Sequence, residues 1–317
     1  MTYNNKLLRD IFIGISLCLL IFIFTLSMPL FGFFIALLLP LPVIFFRLKL
    51  GKIKGAIIPI TALFIIIVVI QNLSVDVFFY GSLMLTGFLI GNFLELQVSI
   101  EKTILFTVLT TVGVCLILFI LHALTMDKSF FLIISDYIGT NIELSLKIYS
   151  DFGMPQNQID ALAKSSDIIK HIIIRIIPSV VIAIFVFITW LNILLIKEIL
   201  KRDGVSMSWL GVLSHWKAPE HLVWFAILTL ASIFISIESI KILRLNIFIV
   251  LTLIYFFQGI SIVSFYFEKK NFPFFLKFFI YTLIVAQQIF TLLIICIGFF
   301  DTWFDFRKLN LQQNLQN

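Results

Sequence analysis

Arg175 is the cation set deepest in an apolar run of this chain. It lies in residues 171–200, HIIIRIIPSVVIAIFVFITWLNILLIKEIL, one turn before Pro178. Charge in hydrocarbon is costly, so such a guanidinium either snorkels to the interface or faces a polar interior. In the second case it is a binding group for an anion, or the partner of Asp136, Asp160 or Asp167 in the preceding segment. Pro178 has no amide hydrogen and frees a carbonyl near the same depth. Arg175 and these three acids form the candidate substrate-binding set.

Amides carry the next signal. Gln258, Gln287 and Gln288 fall near the middle of apolar runs. An amide at that depth must find a partner, so each is expected to bond to another helix or, in the functional reading, to a substrate. Asn92 and Asn192 lie nearer the ends of their runs and are read the same way. Gly87 and Gly91 make a GxxxG spacing, with Gly81 earlier in the run. Small residues on one face let two helix backbones approach, within the chain or across a partner.

Two aromatic clusters frame the last third. One is WKAPEHLVW, from Trp216 to Trp224; the other is GFFDTWFDFR, residues 298–307, containing Trp303. Tryptophan belts membrane interfaces, so anchoring is the simple reading. Asp301 and Asp305 stand one turn apart with Arg307 after them, which predicts a local ion-pair cap or a partner contact.

The chain holds no HExxH, GxSxG or GxxxxGK[ST], so no catalytic residue is assigned. His215 and His221 flank Pro219 and do not share a helical face. Cys18, Cys115 and Cys296 have no CxxC spacing. Neither group predicts a metal site, and no cofactor is expected. Without a phosphate-binding loop, active transport would need a partner or an ion gradient.

The elements that must position these residues follow from composition. Of 317 residues, 61% are hydrophobic and 13% charged, and mean hydropathy is +1.13. A soluble globule cannot hide that much apolar surface, so the expected class is an all-α polytopic membrane protein. The net charge of +6 reads as orientation signal rather than a nucleic-acid surface. Nine runs are long enough to span: about 11–28, 30–46, 55–71, 77–94, 103–124, 171–197, 221–240, 246–267 and 274–300. Pro40 and Pro42 are expected to kink the second run near its end. Lys6 and Arg9 precede the first run with no cleavage site after it, so it is read as a retained helix.

The basic turn with Arg47, Lys49, Lys52 and Lys54, free of acids, places the N-terminus in the cytoplasm. Nine spans then put Arg307 and Lys308 outside; an eight-span count puts them inside. The expected division is a six-helix bundle over 1–202, three further helices over 203–309, and a disordered tail over 310–317. The outer loop, 125–170, has an apolar stripe from Phe130 to Ile138, a turn at 151–155, and a second amphipathic stretch from Gln156 to Lys170. It predicts two interfacial helices.

WKAPEHLVW, LNIFIVLTLIYFFQGISIVSFYF and GFFDTWFDFRKL together resemble the C-terminal half of the YybS-like bacterial membrane proteins, a family of unknown function. The first six helices are also similar to the S component of energy-coupling-factor vitamin transporters. The short first hairpin, the proline-bearing second helix, the turn Leu50-Gly-Lys-Ile-Lys-Gly55 and the outer loop carry that likeness. It implies a small-molecule-binding bundle that docks on a transmembrane coupling protein with two ATPases. The chain departs from that pattern in offering only Gly14 and Cys18 on helix one, and in continuing past six helices. A second expectation is a non-transporting scaffold or regulator that holds a partner through its C-terminal helices.

Overall fold

A computed structural model describes residues 3–28, 31–71, 74–127, 129–205, 207–210 and 213–308. The expected tail, 310–317, lies outside these residues. The regular elements among them are helical, as hydrocarbon demands: with no water to bond, each segment must satisfy its own amides and carbonyls. The chain divides into two units, Met1–Ile177 with Ile184–Ser206, and Pro178–Ala183 with Met207–Asn317.

The first unit begins with α1 (Tyr3–Ser27), α2 (Gly32–Ala36), α3 (Pro40–Leu50) and α4 (Lys52–Ile70). It continues with α5 (Val75–Glu95), α6 (Ile100–Thr125), α7 (Phe130–Asp151), α8 (Gln156–Lys164) and α9 (Ser166–Arg202), whose residues 178–183 belong to the second unit. Helix α3 is the centre, packed against α1, α4 and α5. The break in the second span comes before the prolines rather than near the end of the run. Pro40 starts α3, where its missing amide hydrogen costs nothing. The turn ahead of it leaves the Leu37 carbonyl to accept a bond from Asn192 Nδ2 of α9, at 2.9 Å.

Gly87 and Gly91 let α5 lie on α3. A Cβ at Gly87 would stand 2.6 Å from the Pro40 carbonyl oxygen, and one at Gly91 would stand 2.6 Å from Arg47 Cγ. Helix α9 begins at Ser166 and runs 37 residues, so the stretch expected as a helix over 156–170 is split at Ser165. Arg175 therefore sits well inside α9 rather than near its start.

The second unit holds α10 (Leu222–Ala231), α11 (Glu238–Lys269), α12 (Phe274–Ala286) and α13 (Gln288–Phe304). Seven helices among the described residues are long and apolar enough to span, or eight if α12 and α13, bent by 100° at their junction, count as one. Two expected spans are thus interrupted. The run 221–240 is a short apolar helix, Leu222–Phe234, followed by the non-helical residues 235–237. It still follows α11: Val223 and Ala226 pack with Leu251 and Tyr255, and Arg244 Nη1 bonds the Ser232 carbonyl at 2.7 Å. The run 274–300 breaks at Gln287, where Thr291 Oγ1 takes up the freed Ile284 carbonyl at 2.5 Å.

Candidate functional site

The second unit brings the two aromatic motifs together. Segment 216–219, just ahead of α10, is not helical, so its backbone groups have no intrahelical partner. Side chains from α11 and from the end of α13 supply them. Arg307 Nη1 donates to the carbonyls of Ser214 and Trp216, both at 2.9 Å, and to Ser261 Oγ at 2.8 Å. Ser261 Oγ itself donates to the Trp216 carbonyl at 2.9 Å. Gln258 Oε1 accepts from the Ala218 amide at 3.3 Å, and Ser214 Oγ donates to Glu268 Oε2 at 2.6 Å.

Asp301 balances the charge. Its Oδ2 accepts from Arg307 Nη2 at 2.9 Å and from Gln258 Nε2 at 3.1 Å. Its Oδ1 accepts from the Phe306 amide at 2.9 Å. Both side chains of the Asp301–Arg307 pair are 0% exposed. Asp305 adopts the left-handed conformation that ends α13 and turns the chain back. Glycines permit the close crossing beneath: a Cβ at Gly298 would stand 2.0 Å from the Tyr255 carbonyl oxygen, and one at Gly259 would stand 2.1 Å from that of Ile294.

Arg307 touches segment 214–216, so the nine-span count, which separates them by the membrane, does not describe this unit. Gln287 is exposed at the break between α12 and α13 rather than buried in mid-span. Trp224 and Trp303 are also exposed, and the Trp303 ring packs edge-on against Phe299.

A second buried arginine was not singled out by sequence. Arg47, at the end of α3, is 0% exposed and reaches α5, where Nη2 donates to Glu95 Oε2 at 2.5 Å and Asn92 Oδ1 at 3.0 Å. The Phe88 ring lies 5.6 Å from its guanidinium carbon. Gly55 and Gly91 make room for its stem. Its Nε and Nη1 find no hydrogen-bond partner among the described residues. The available signal was the spacing of Phe88, Gly91, Asn92 and Glu95, which puts one aromatic, one gap and two acceptors on a single helical face.

The three acids expected near Arg175 are spread over separate helices. Asp136 is exposed on α7, Asp160 is exposed on α8, and Asp167 is exposed in the first turn of α9. Asp160 Oδ1 accepts from Gln156 at 3.1 Å. Arg175 is half-buried. Helices α7 and α8 are held lightly: each buries one residue, Ile138 and Ile159. Tyr137 of α7 donates to Asp76 Oδ1 at the start of α5, at 2.9 Å. Burial first, and then the bond to Asp76, pushes the Tyr137 hydroxyl up to about 12. Lys170 Nζ stands beside Gly139, so α7 also borders the first turns of α9.

Long apolar helices, interrupted crossings and side chains that complete a broken backbone define a polytopic integral membrane protein. The family described as "Predicted membrane protein (DUF2232)" matches residues 16–302, and the chain belongs to it. No curated protein and no solved structure matches the chain.

Proposed function

We propose that the first unit is a small-molecule receptor of the substrate-capture type, with α7 and α8 as its cover and Arg175 beneath. The observation that carries this reading is the light tethering of the cover. Thirty-one helical residues, the 22 of α7 and the 9 of α8, bury one side chain per helix. Few buried apolar contacts mean a low free energy of local opening. Arg175 supplies a fixed charge for an anionic group of the captured molecule. The likeness to energy-coupling S components and the YybS-like proteins belongs to the same proposal. So does an N-terminus in the cytoplasm of a bacterial inner membrane. The chain lacks a phosphate-binding loop, so the proposed energy source is a transmembrane coupling protein with ATPases.

The test is thermal unfolding of the detergent-purified protein against a panel of vitamins and anionic metabolites. One ligand should raise the midpoint, and Arg175→Ala should abolish that rise. If no compound in the panel shifts the midpoint, the receptor reading fails.

The scaffold reading keeps one foothold, the exposed rings of Trp224 and Trp303. Asp301 and Arg307 are enclosed by their own unit and serve it poorly. Affinity purification of the tagged protein in mild detergent separates the two. Recovery of ATPases favours capture. A different envelope protein, lost on Trp303→Ala, favours the scaffold.

A further inference from the structure

A cavity of about 340 Å³ opens at the end of the first unit where α1, α3 and α4 meet. Lys6, Leu7, Asp10, Lys49, Leu50 and Lys54 line it. Three lysines, one from each of three helices, thus line one small space. Asp10 is the single lining acid, and it is engaged: 4% exposed, it accepts from Lys49 Nζ at 2.9 Å. That bond fixes the Lys49 stem and leaves the site with a positive balance.

Two further features have the same sign. Lys54 stands in the first turn of α4, a 19-residue helix with no side-chain cap and no acid in that turn. The partial positive charge of the helix start adds to that of the lysines. Arg9, next to Asp10 in sequence, lies 3.8 Å from its carboxylate.

Apolar surface adjoins the charge. Leu7 of α1 and Leu50 of α3 line the cavity beside the lysines, and Ile53, next to Lys54 on α4, is 85% exposed. The N-terminus of α1, the C-terminus of α3 and the N-terminus of α4 are helix ends, which places the cavity at headgroup level for helices that span. A ligand that suits it has a phosphate at the lysines and hydrocarbon along Leu7, Leu50 and Ile53. Basic pockets between transmembrane helices select lipid headgroups on this physical basis.

We infer that this cavity binds the phosphate of an anionic phospholipid. Free inorganic phosphate shares the charge but not the chains, so the two sources separate by experiment. The full chain is reconstituted in nanodiscs of phosphatidylcholine with a minor fraction of phosphatidylglycerol, and bound lipid is counted by native mass spectrometry. Phosphatidylglycerol should be retained in preference to phosphatidylcholine of the same chains. The double substitution Lys6→Gln with Lys54→Gln should weaken that retention about tenfold or more, at roughly a fewfold per lysine.

Neither substituted residue belongs to the Asp10–Lys49 pair, and an unchanged thermal midpoint reports that the fold is kept. Lys241→Gln, on α11 in the other unit, should leave retention unchanged. Loss of phosphatidylglycerol on adding inorganic phosphate at constant ionic strength would support the phosphate site but assign it to a soluble ion. Equal retention of the two lipids, or retention untouched by the double substitution, would overturn the proposal.

Discussion

Each unit buries one arginine against one acid, and the two arginines do different things. Arg307 gives its hydrogens to two backbone carbonyls, a hydroxyl and an enclosed carboxylate. Arg47 gives its bonds to side chains alone, and its acid, Glu95, is 52% exposed. The difference traces to the backbone nearby. Helices α3 and α5 are continuous around Arg47 and need nothing from it. The segment ahead of α10 is unwound, and without Arg307 the carbonyls of Ser214 and Trp216 would each lose a charged donor. A buried charge in a membrane protein is therefore not by itself a mark of transport. Its bonding list distinguishes a backbone brace from a cation left available.

Breaking the two acids should separate the units most sharply. Asp301→Ala leaves Arg307 buried and uncompensated, and should cost about 3–5 kcal/mol. Glu95→Ala should cost about 1 kcal/mol or less, because water enters through the half-exposed position and replaces the carboxylate. Thermal unfolding in detergent measures both. Similar losses would mean that the two arginines are equivalent after all.

The glycines sharpen the contrast at a smaller scale. Gly298→Ala forces a methyl against the Tyr255 carbonyl and should cost about 1–3 kcal/mol. Gly113→Ala, on α6 with nothing within 4 Å of its Cβ, should instead stabilise the first unit by about 0.5–1 kcal/mol. The same unfolding assay reads the opposite signs.

Another small effect concerns α7. Tyr137 holds its proton more tightly when folded, up to about 12, against an ordinary value near 10. The unfolded chain therefore loses that proton first. The stabilisation is complete below about pH 10 and disappears as pH rises towards 12. Tyr137→Phe should cost about 0.5–1.5 kcal/mol at neutral pH and flatten that alkaline decline. Hydrogen exchange over α7 would register faster opening.

Most crossings were legible because an apolar run of sufficient length has few other fates. The breaks were not. Residues 221–240 and 274–300 are apolar throughout, and hydropathy does not distinguish a continuous helix from one that unwinds and is repaired by distant side chains. The repair kit was visible as WKAPEHLVW and DTWFDFR, but one sequence does not reveal that two motifs 91 positions apart bind each other. Arg47 was read as an orientation signal because a basic turn performs that task whether or not one of its cations folds inward. Arg175 drew attention by its depth in a run whose helix begins five residues earlier than the polarity implied.

The brace also imposes an order on biosynthesis. Trp216 leaves the ribosome 91 residues ahead of Arg307, an interval of about 5–20 s at ordinary elongation rates. Throughout that time the carbonyls of Ser214 and Trp216 are without the guanidinium that completes them. The nascent segment must wait in the translocon or at the aqueous interface, where water can stand in. Only when Arg307, three residues past the end of α13, has emerged can this segment take up its full set of bonds, so the second unit is completed from its C-terminal side.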